Sequence, residues 1–539
     1  MQRVKHGFRI LGSLFGSFLT TLGTVAAPSL KPVDLKQPFL VLVALSASAC
    51  HAVKTAARAI VLNDVHSRLN ATPVASLAAP ESTAELVELI RAAKRDSQNV
   101  SISAGRHAMG GQQFGAATAH ISMSRMDDIL SFDRERGIVR VEAGIGWPKL
   151  MEDLRALQAG PGPGWAIAQK QTGADELSLG GALSANAHGR GLRFRPMIQD
   201  VEAFTLVTAD GDVLTVSHTQ HPGLFRLAIG GYGLFGVIAT VDLRLVPRVK
   251  LRRVVELVSL DELTEKVRER LDAGALYGDF QYKTDVAAPD FMQVGVLSTY
   301  EPVSPETPIP EGQRHLSPQN WNELLMLAHT RKSEAFERYS RFYLSTNGQI
   351  YWSDAHQMSY YNPAYEDYLR RTMPDYTAGS LMITEVYVPR AQIRQFTEHI
   401  IEDARAYAFD VVYGTMRLVE RDEESFLAWA KEDYACVIFN LRVQHTPESL
   451  AKAQHDFQRI IDRALELGGS YYLTYHRWAR EDQVRSAYPQ LPEFLRQKLQ
   501  FDPEERFQSD WYRHYKAMFS EELHASHRSG YTEIAAAAS

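Results

Sequence analysis

Cysteine is nearly absent from this sequence, which holds only Cys50 and Cys436. Two such distant cysteines, one of them in a hydrophobic N-terminal region, cannot assemble a disulfide framework or a CxxC metal or iron–sulfur site. Positive charge is not in surplus either, since 58 Lys and Arg residues stand against 64 Asp and Glu and the net charge is -6. The chain therefore lacks the cationic field of a nucleic-acid-binding protein. Any redox chemistry would have to come from an organic cofactor.

Residues 1–55 form a separate hydrophobic region. Three basic side chains among the first nine residues precede an apolar, small-residue-rich run at 10–27, a layout that fits a secretory signal and equally a signal-anchor helix. A second apolar run at 39–53 contains Cys50 in a segment that loosely resembles a lipoprotein cleavage site. No twin-Arg pair precedes either run. The sequence predicts export or membrane association through this region, with a cytoplasmic location as the alternative.

Length and patterning predict two large folded units of mixed secondary structure. The 539 residues exceed what one compact core usually holds. Beyond Pro80 the chain alternates short β-rich runs with amphipathic helical patterns, so the predicted class is α+β. Expected helices begin at 81 or cover 147–157, 222–229 and 447–467, and expected strands cover 99–103, 201–208, 237–245, 380–388, 411–418 and 436–443.

Two segments suit a ligand that carries phosphate groups. The first, Ala104-Gly-Arg-His-Ala-Met-Gly-Gly111, directly follows an expected strand, and its glycines let backbone N–H groups converge on an anion. The imidazole of His107 is a nucleophile that could form a bond to a cofactor, although a plain turn with an incidental histidine is the alternative. The second segment, Ser178 to Gly191, is almost entirely small residues. It would let backbone lie against a flat ligand, but close helix-on-sheet packing selects the same residues.

A third segment, Gly231-Tyr-Gly-Leu-Phe-Gly236, matches the GxGxxG dinucleotide fingerprint only formally. The fingerprint needs a strand before it and a helix after it. Here an expected helix precedes and an expected strand follows. The segment therefore predicts a glycine turn close to a ligand, or a plain turn, and not a dinucleotide-binding fold.

Four segments in this order resemble the FAD-binding domain of the vanillyl-alcohol oxidase family, also called the PCMH-type fold. They are the turn with His107, Val141-Glu-Ala-Gly-Ile-Gly-Trp147, the small-residue segment that includes His188-Gly189, and the turn at 231–236. The resemblance implies an α+β architecture: a two-subdomain FAD-binding domain at 70–248 and a substrate-binding cap domain with an antiparallel sheet at 249–498. A C-terminal segment, 499–539, would return to the FAD domain.

The resemblance also implies FAD as the cofactor, joined covalently through His107 to the flavin 8α carbon. No cysteine lies between Gly162 and Gly191, which excludes the second, cysteinyl link of berberine bridge-type members. No metal site is expected. The other residues expected to bind FAD are Gly105, Arg106, Ala108, Met109, Gly110, Gly111, Thr172, Gly173, Ser178, Gly181, Ser184, Ala185, His188, Gly189, Gly236, Val237 and Ile238.

The cap region resembles the family less closely. Glu385-Val-Tyr-Val-Pro389 is similar to a strand of aldonolactone and alditol oxidases, but Thr415-Met-Arg417 falls where those enzymes carry E-x-R. Thr415 removes a carboxylate expected to bind substrate hydroxyls, which weakens the case for an alditol or aldonolactone substrate. The closing segments at Tyr488 and Asp502 also occur in decaprenylphosphoryl-ribose oxidase, which lacks a flavin-linking histidine in its first loop.

Oxidation of an alcohol at a flavin needs a group that takes the hydroxyl proton and a positive group near the reduced ring. His476 is the first candidate base and Tyr475 the second, both in an aromatic-rich expected strand. Arg417 is the candidate cation, and Glu385 is a further candidate. The alternatives are a core histidine at 476, a surface ion pair for Arg417 and a solvated side chain for Glu385.

The sequence thus predicts an FAD-dependent oxidoreductase that oxidises a CH–OH group of a sugar, polyol or sugar-derived small molecule by hydride transfer to flavin N5. O₂, a quinone or a carrier protein would accept the electrons. A membrane-associated dehydrogenase is the second hypothesis. A flavin-binding or electron-transfer subunit without its own substrate is the third.

Overall fold

The computed structural model describes residues 60–160, 164–359, 362 and 364–524. The hydrophobic region 1–55, and with it the signal or anchor prediction, lies outside the described residues. Within them, no helix is both long and apolar enough to cross a membrane. The described residues all belong to one compact unit, Ala59–Ser539.

The first half of the described chain consists of short strands and short helices. The strands are β1 (Ile60–Leu62), β2 (Thr72–Val74), β3 (Ser76–Ala78), β4 (Val100–Ser103), β5 (Ala119–Ser122), β6 (Ile129–Asp133), β7 (Ile138–Glu142), β8 (Trp165–Ile167), β9 (Val201–Val207), β10 (Val213–Ser217) and β11 (Val237–Pro247). The helices are α1 (Thr83–Arg95), α2 (Trp147–Leu157), α3 (Leu179–Ser184) and α4 (Pro222–Ala228).

These strands build two main sheets. A parallel sheet has the order β3-β5-β4, and an antiparallel sheet has the order β10-β9-β11-β7-β6, with β8 paired to β11. Helix α1 joins β3 to β4 and packs against both sheets. Ser82 caps it by accepting a hydrogen bond from the Glu85 N–H at 3.2 Å. Its buried Ile90 packs in one cluster with Val100 of the parallel sheet and Val237 of the antiparallel sheet. This packing brings β4 and the start of β11 into one cluster.

The second half is built on longer strands. They are β12 (Lys250–Ser259), β13 (Tyr277–Tyr282), β14 (Val294–Val303), β15 (Ile350–Trp352), β16 (Gly379–Pro389), β17 (Val411–Val419), β18 (Tyr434–Gln444) and β19 (Ser470–Tyr471). The helices are α5 (Leu260–Asp272), α6 (Pro318–Thr330), α7 (Lys332–Leu344), α8 (Tyr365–Thr372), α9 (Ile393–Ala406), α10 (Pro447–Glu466), α11 (Glu481–Ala487), α12 (Leu491–Phe501) and α13 (Asp510–Met518).

The eight strands form one antiparallel sheet in the order β15-β12-β14-β13-β17-β18-β16-β19. Side chains alternate across it, as the strand period requires: Val437 and Phe439 are buried in the core, whereas Ile438 and Asn440 line a cavity. Helices α9 and α10 pack on β16, and α6 and α7 contact β12, β14 and β17. The predicted α+β class with an antiparallel sheet in the cap is confirmed.

The C-terminal part of the described chain packs against the parallel sheet. Val100 donates its N–H to the Arg506 carbonyl at 2.6 Å, and Gln508 donates to the Val100 carbonyl at 2.9 Å. A few residues on, the Asp510 N–H binds the Phe114 carbonyl at 2.7 Å. Segments more than 390 residues apart in the sequence are thus hydrogen-bonded along β4 and the loop after it. The limits of the predicted domains stay a prediction.

Candidate active site

A cavity of about 620 Å³ runs between the loops of the first half and the antiparallel sheet of the second. Most of its lining from the first half comes from three stretches: the loop after β4, the region 171–188 around α3, and the start of β11. On the other side it is lined by β12, β13, β14, β16, β17 and β18 and by the helix pair α6–α7. The cavity could therefore hold a cofactor and the substrate that the cofactor oxidises side by side.

The loop after β4 presents Gly105, Arg106, His107, Ala108 and Met109 to the cavity. A Cβ at Gly105 would lie 2.7 Å from the Glu176 carbonyl oxygen, so the close packing of this loop on residue 176 requires glycine. Arg106 has φ +56°, an uncommon conformation for a residue with a side chain and one that is found at functional sites. The loop is held in a defined shape at the cavity wall.

Gly110 and Gly111, predicted to bind FAD, do not line the cavity. The Gly110 N–H instead binds the Thr474 carbonyl at 3.1 Å. A Cβ on Gly111, whose φ is +75°, would lie 3.3 Å from Arg477 Nη2. These two glycines let the loop dock against the 474–477 segment, which is a packing role at the back of the site.

The small-residue segment supplies most of the remaining predicted contacts. Its predicted members that line the cavity are Ser178, Gly181, Ser184, Ala185 and His188, and the predicted Thr172 and Gly173 line it just before the segment. Ser178 caps α3 by accepting the Gly181 N–H at 3.2 Å. Close packing also selects small residues here, because a Cβ on Gly180 would lie 2.8 Å from that of Ala143. Gly189 is outside the cavity wall: a Cβ there would lie 2.8 Å from the Lys170 carbonyl oxygen.

The third predicted stretch, Gly236, Val237 and Ile238, lines the cavity at the start of β11. Gly236 has φ +145°, and a Cβ on it would lie 2.8 Å from the Val207 carbonyl oxygen. Helix α4 precedes this turn and strand β11 follows it. The prediction that the GxGxxG match is not a dinucleotide fingerprint is therefore confirmed by the order of the elements.

His107 faces a second histidine that the sequence did not predict. Its Nδ1 lies 3.1 Å from Nε2 of His66, and the two rings meet edge to face at 4.9 Å between centroids. Burial lowers the pKa of His107 to about 3, and the nearby His66 and Arg106 act in the same direction. Burial also lowers the pKa of His66 to about 4. Both imidazoles are therefore neutral at neutral pH, and a neutral imidazole keeps a nucleophilic lone pair.

Glu385 is the centre of a buried hydrogen-bond network at the cavity wall. Its Oε1 lies 2.6 Å from His188 Nε2, its Oε2 accepts from the Tyr475 hydroxyl at 2.8 Å, and the Tyr387 hydroxyl also donates to it. Burial by itself would raise the pKa of Glu385, but the charge of His188 and these hydrogen bonds lower it to about 2. The His188 Nδ1 faces the Gly189 carbonyl at 3.1 Å. Glu385 is thus an ionised carboxylate in a water-poor site.

Arg417 lies near Glu385 on the same face of the sheet. Strand β18 separates their strands and pairs Ile438 with Glu385 and Cys436 with Arg417. Two strand spacings and an offset of two residues along the strand put the two backbones about 12 Å apart. Arg417 is 9% exposed, and its Nε has no hydrogen-bond partner. Together the two side chains place a fixed negative and a fixed positive group on the same wall of the cavity.

His476, predicted as the first candidate base, is not part of the cavity wall. Its ring packs 4.3 Å from Phe457 and 4.9 Å from Trp478 between centroids, and it is 5% exposed. Burial lowers its pKa to about 3. The base prediction for His476 is wrong in this structure, because the side chain points into an aromatic cluster while its neighbour Tyr475 points to the cavity.

The cavity fits an extended ligand with many polar groups. Gln112 Oε1, Gln113 Oε1 and Gln171 Nε2 are buried at its wall without hydrogen-bond partners. Unsatisfied buried polar groups are costly unless a ligand pairs with them. FAD, with a diphosphate, a ribityl chain and a polar ring edge, is a ligand of this kind.

The comparison with protein families identifies the class. A family model described as FAD binding domain matches residues 74–217, a stretch that contains His107 and the small-residue segment. The chain therefore carries an FAD-binding domain, and FAD is its cofactor. The resemblance to PCMH-type flavoproteins is confirmed.

The curated relatives narrow this class to flavoproteins similar to aldonolactone oxidases. L-gulonolactone oxidase of Mus musculus is 29% identical over 195 residues, which are 36% of this chain and 41% of the relative. Mitochondrial L-galactono-1,4-lactone dehydrogenase of Brassica oleracea is 29% identical over 195 residues, 36% of this chain and 31% of the relative. The chain thus matches less than half the length of these two. L-gulono-1,4-lactone dehydrogenase of Mycobacterium tuberculosis is 25% identical over 448 residues, 80% of this chain and 94% of the relative.

Proposed function

We propose that this protein is an FAD-dependent oxidoreductase that oxidises a CH–OH group of a sugar, a polyol or a sugar-derived compound. The observation that carries the proposal is the shared cavity, in which the loops of the FAD-binding domain face the ionised Glu385 and the buried Arg417. The relatives support the substrate class, because their names describe oxidation of sugar lactones.

The proposed reaction divides the work between cofactor and protein. Bound FAD supplies the hydride acceptor. Glu385 accepts a hydrogen bond from the substrate hydroxyl and takes its proton as the C–H bond breaks. A carboxylate whose pKa is about 2 is a weak base toward an alcohol, but the proton becomes strongly acidic once the carbon gains carbonyl character. Glu385 can therefore act late in the transition state.

Two neighbours keep Glu385 in position for this role. Tyr475 donates to its Oε2, and His188 contacts its Oε1, so the carboxylate oxygens have fixed orientations. Burial raises the pKa of Tyr475 well above its usual range, which keeps the phenol protonated and able to donate. Arg417 supplies the positive charge that favours negative charge developing near it.

The covalent link through His107 is part of the proposal. His107 lines the cavity, is neutral because burial lowers its pKa to about 3, and contacts His66. A neutral imidazole in a buried loop is the kind of nucleophile that could form this bond to the flavin methyl carbon. The methyl carbon would lose a proton, and the two electrons of this oxidation would pass into the flavin ring and from there to the electron acceptor. We also propose that the region 1–55 associates the protein with a membrane, as its apolar runs suggest.

The electron acceptor is proposed to be O₂, a quinone or a carrier protein. The relatives include both oxidases and dehydrogenases, and a membrane-bound N-terminal region would suit a quinone. Rapid reoxidation of the reduced protein in air identifies an oxidase. Slow reoxidation in air that a soluble quinone accelerates identifies a dehydrogenase.

Anaerobic bleaching of the flavin tests the proposed function. The purified holoenzyme is mixed with L-gulono-1,4-lactone, L-galactono-1,4-lactone, simple sugars, polyols and hydroxy acids, and the absorbance near 450 nm is followed. At least one compound should bleach the flavin in wild type and far more slowly in Glu385→Gln and Arg417→Gln. His476→Phe, outside the cavity, is the control and should behave as wild type. Bleaching by none of the compounds, or equal bleaching in all variants, would contradict catalysis and favour a non-catalytic flavin subunit.

A further inference from the structure

Two arginines at the cap end of the cavity have no role in the proposed reaction. Arg190 follows the His188-Gly189 pair, and Arg253 lies on β12; both line the cavity. Alternation along β12 directs Arg253 inward and its neighbour Arg252 outward, where Arg252 pairs with Glu301 at 2.9 Å. Arg190 is 15% exposed. Two guanidinium groups are thus held on the inner side of the cap sheet.

The hydrogen bonds of Arg253 go to neutral groups. Its Nε and Nη2 donate to the Tyr300 hydroxyl at 3.0 and 2.7 Å, and its Nη1 donates to Thr346 Oγ1 at 3.1 Å. The rings of Tyr300 and Tyr343 lie 5.2 and 5.4 Å from its guanidinium carbon. No carboxylate of the described chain lies within ion-pair distance of Arg253. Its charge is stabilised by aromatic rings and hydroxyls and is not neutralised.

Arg190 has one weak counter-ion. Its Nη1 is 3.8 Å from Asp279 Oδ1, too far for a hydrogen bond, and its Nε is buried without a partner. The Ser298 hydroxyl, 6% exposed at the same cavity wall, also has no partner. Among the described residues, Asp279 is therefore the one carboxylate near Arg190, and unused donors of both Arg190 and Ser298 remain.

The other groups around this end of the cavity do not supply the missing negative charge. Tyr339, Tyr343 and Tyr413 line it, and burial raises the pKa of each phenol, so the hydroxyls are neutral. His356 packs 4.4 Å from Tyr300, and burial together with Arg190 lowers its pKa well below the usual range. It is neutral as well.

The remaining carboxylates of the cavity wall are engaged elsewhere. Glu366 forms an ion pair with Arg442, and Glu385 is bound by His188, Tyr387 and Tyr475. Thr415 is fully buried, and its hydroxyl donates to the Phe280 carbonyl at 3.2 Å. This position of β17 therefore adds no carboxylate, although it lies between Tyr413 and Arg417.

We propose that Arg190 and Arg253 form an anion subsite and that the physiological substrate carries a carboxylate or a phosphate group besides its oxidised CH–OH group. This inference rests on the proposed function. A buried, partly unpaired guanidinium pair is costly unless an anion binds to it. The guanidinium fork with adjacent hydroxyl donors matches both carboxylate and phosphate oxygens. The subsite orients the substrate by its acidic group and is separate from the residues proposed for chemistry.

Three matched ligands test the subsite in the holoenzyme: glycerol as the neutral compound, glycerate as the carboxylate, and glycerol 3-phosphate as the phosphate. Dissociation constants are measured from the perturbation of the flavin absorption spectrum at two salt concentrations. We expect glycerate or glycerol 3-phosphate to bind at least about tenfold more tightly than glycerol, with a difference that shrinks as salt rises. The tighter of the two anions identifies which acidic group the subsite takes.

Variants assign the preference to this site. Arg253→Gln and Arg190→Gln should each weaken anion binding about tenfold or more and leave glycerol binding unchanged. Asp279→Asn should tighten anion binding, because it removes the one carboxylate that repels the anion and competes for Arg190. If Asp279 and Arg190 had only a structural role, this substitution would not be expected to increase the affinity for anions. Arg252→Gln, on the outer side of the same strand, is the matched control and should bind as wild type.

Each unfavourable outcome has a separate meaning. Equal affinity of wild type for all three ligands, or an unchanged anion preference in Arg253→Gln and Arg190→Gln, would overturn the subsite. Weaker anion binding in Asp279→Asn would overturn it too, and this variant decides the matter if the arginine variants do not fold. Anion preference without flavin bleaching by any CH–OH compound contradicts the proposed oxidation alone, whereas bleaching without anion preference contradicts the subsite alone.

Discussion

Among single residues, His107 gives the most direct test of how the cofactor is held. The structure places its neutral imidazole at the cavity wall in contact with His66. We expect acid-precipitated wild type to stay yellow and His107→Ala to release all of its FAD into the supernatant, because no other nucleophile of the loop can form the bond. The measurement is the flavin absorbance of the pellet and of the supernatant.

His120 provides the matched control for this test. It is a buried histidine of β5 that binds Ser101 Oγ at 2.9 Å and Ser103 Oγ at 2.7 Å and does not line the cavity. His120→Gln should keep the flavin attached. Free FAD in precipitated wild type would show that the cofactor is held without a covalent bond.

Glu385 gives the residue-scale prediction for chemistry. Glu385→Gln should lower the rate of flavin reduction about 100-fold or more, because an amide cannot take the hydroxyl proton, while the bound FAD content stays unchanged. Tyr475→Phe removes one hydrogen bond to the carboxylate and should cost less. Since the pKa of Glu385 is about 2, the wild-type rate should not fall through protonation of this group between pH 4.5 and 8. An unchanged rate in Glu385→Gln would exclude the proposed role.

Sequence reasoning reached the residues that lie in motifs and missed those that only folding brings together. His107, Arg417 and Glu385 belong to recognisable segments, and all three line the cavity. His66 and Arg253 carry no local signal, and Arg190 lies inside the small-residue segment, where nothing local marked its side chain as a ligand for an anion. Their neighbours are far away in the sequence, as with Tyr300 for Arg253, so a linear pattern cannot show the contact.

At the scale of elements, the loop after β4 packs tightly against the loop that carries Glu176, just before the small-residue segment. A Cβ on Gly105 would lie 2.7 Å from the Glu176 carbonyl oxygen and 3.1 Å from the His107 ring. Gly105→Ala should therefore separate the two loops and lower the FAD content of the purified protein, with a destabilisation of about 1–3 kcal/mol. Gly223→Ala in α4 has nothing within 4 Å of the added Cβ and is the control. Equal FAD content in both variants would contradict the packing argument.

Elements with a clear period were predictable, whereas the region from 470 to 478 was not. Helix α2 has the bounds expected from the sequence, and β16, β17 and β18 extend the expected strands by one to three residues. The aromatic run that follows helix α10 favoured a strand by propensity. In the structure only Ser470–Tyr471 pairs with β16. The Thr474 carbonyl instead accepts from Met109 and Gly110. Tertiary contacts therefore turned this segment, and with it His476, away from the expected course.

The helix pair α6–α7 is an element that the sequence could have revealed. Ser317 forms a capping box with Asn320 and Pro318 follows at the first helical position. Trp321, Leu324, Leu325 and Ala328 recur at helical spacing, and all four line the cavity. The signal was present, but the cavity-facing role of an apolar stripe cannot be told from core packing by period alone.

At the scale of the whole molecule, the FAD-binding part is completed by the end of the chain. The Arg506 and Gln508 backbones bond to Val100, and α13 begins beside the loop that carries His107. The family resemblance implied such a return, since the closing segments match, but composition and periodicity alone gave no reason for it. A contact between residues 100 and 506 has a high cost in chain entropy, and many other contacts along the C-terminal segment have to offset it.

The whole molecule also has a predictable response to acid. Burial lowers the pKa of His66, His120 and His329 to about 4 and that of His476 to about 3. The unfolded chain binds protons at these positions below about pH 6.5, whereas the folded chain does not. The contribution of these neutral histidines to the free energy of unfolding is therefore complete above that pH and is lost as the pH drops toward 4. Each such histidine steepens the fall by up to about 1.4 kcal/mol per pH unit.

Asp200 acts in the opposite direction and does not cancel the effect. Burial raises its pKa to about 7, so folding takes up one proton there between about pH 4 and pH 7, whereas unfolding takes up protons at several histidines, the four named above among them. His476→Phe isolates one contribution, because a phenyl ring can fill the aromatic cluster and does not titrate. Denaturant unfolding of the holoenzyme at pH 7.5, 6.5 and 5 should show that wild type loses about 2 kcal/mol more than His476→Phe between pH 6.5 and 5. Parallel losses in the two proteins would mean that His476 is protonated in the folded state, and its placement among Phe457 and Trp478 would have to be revised.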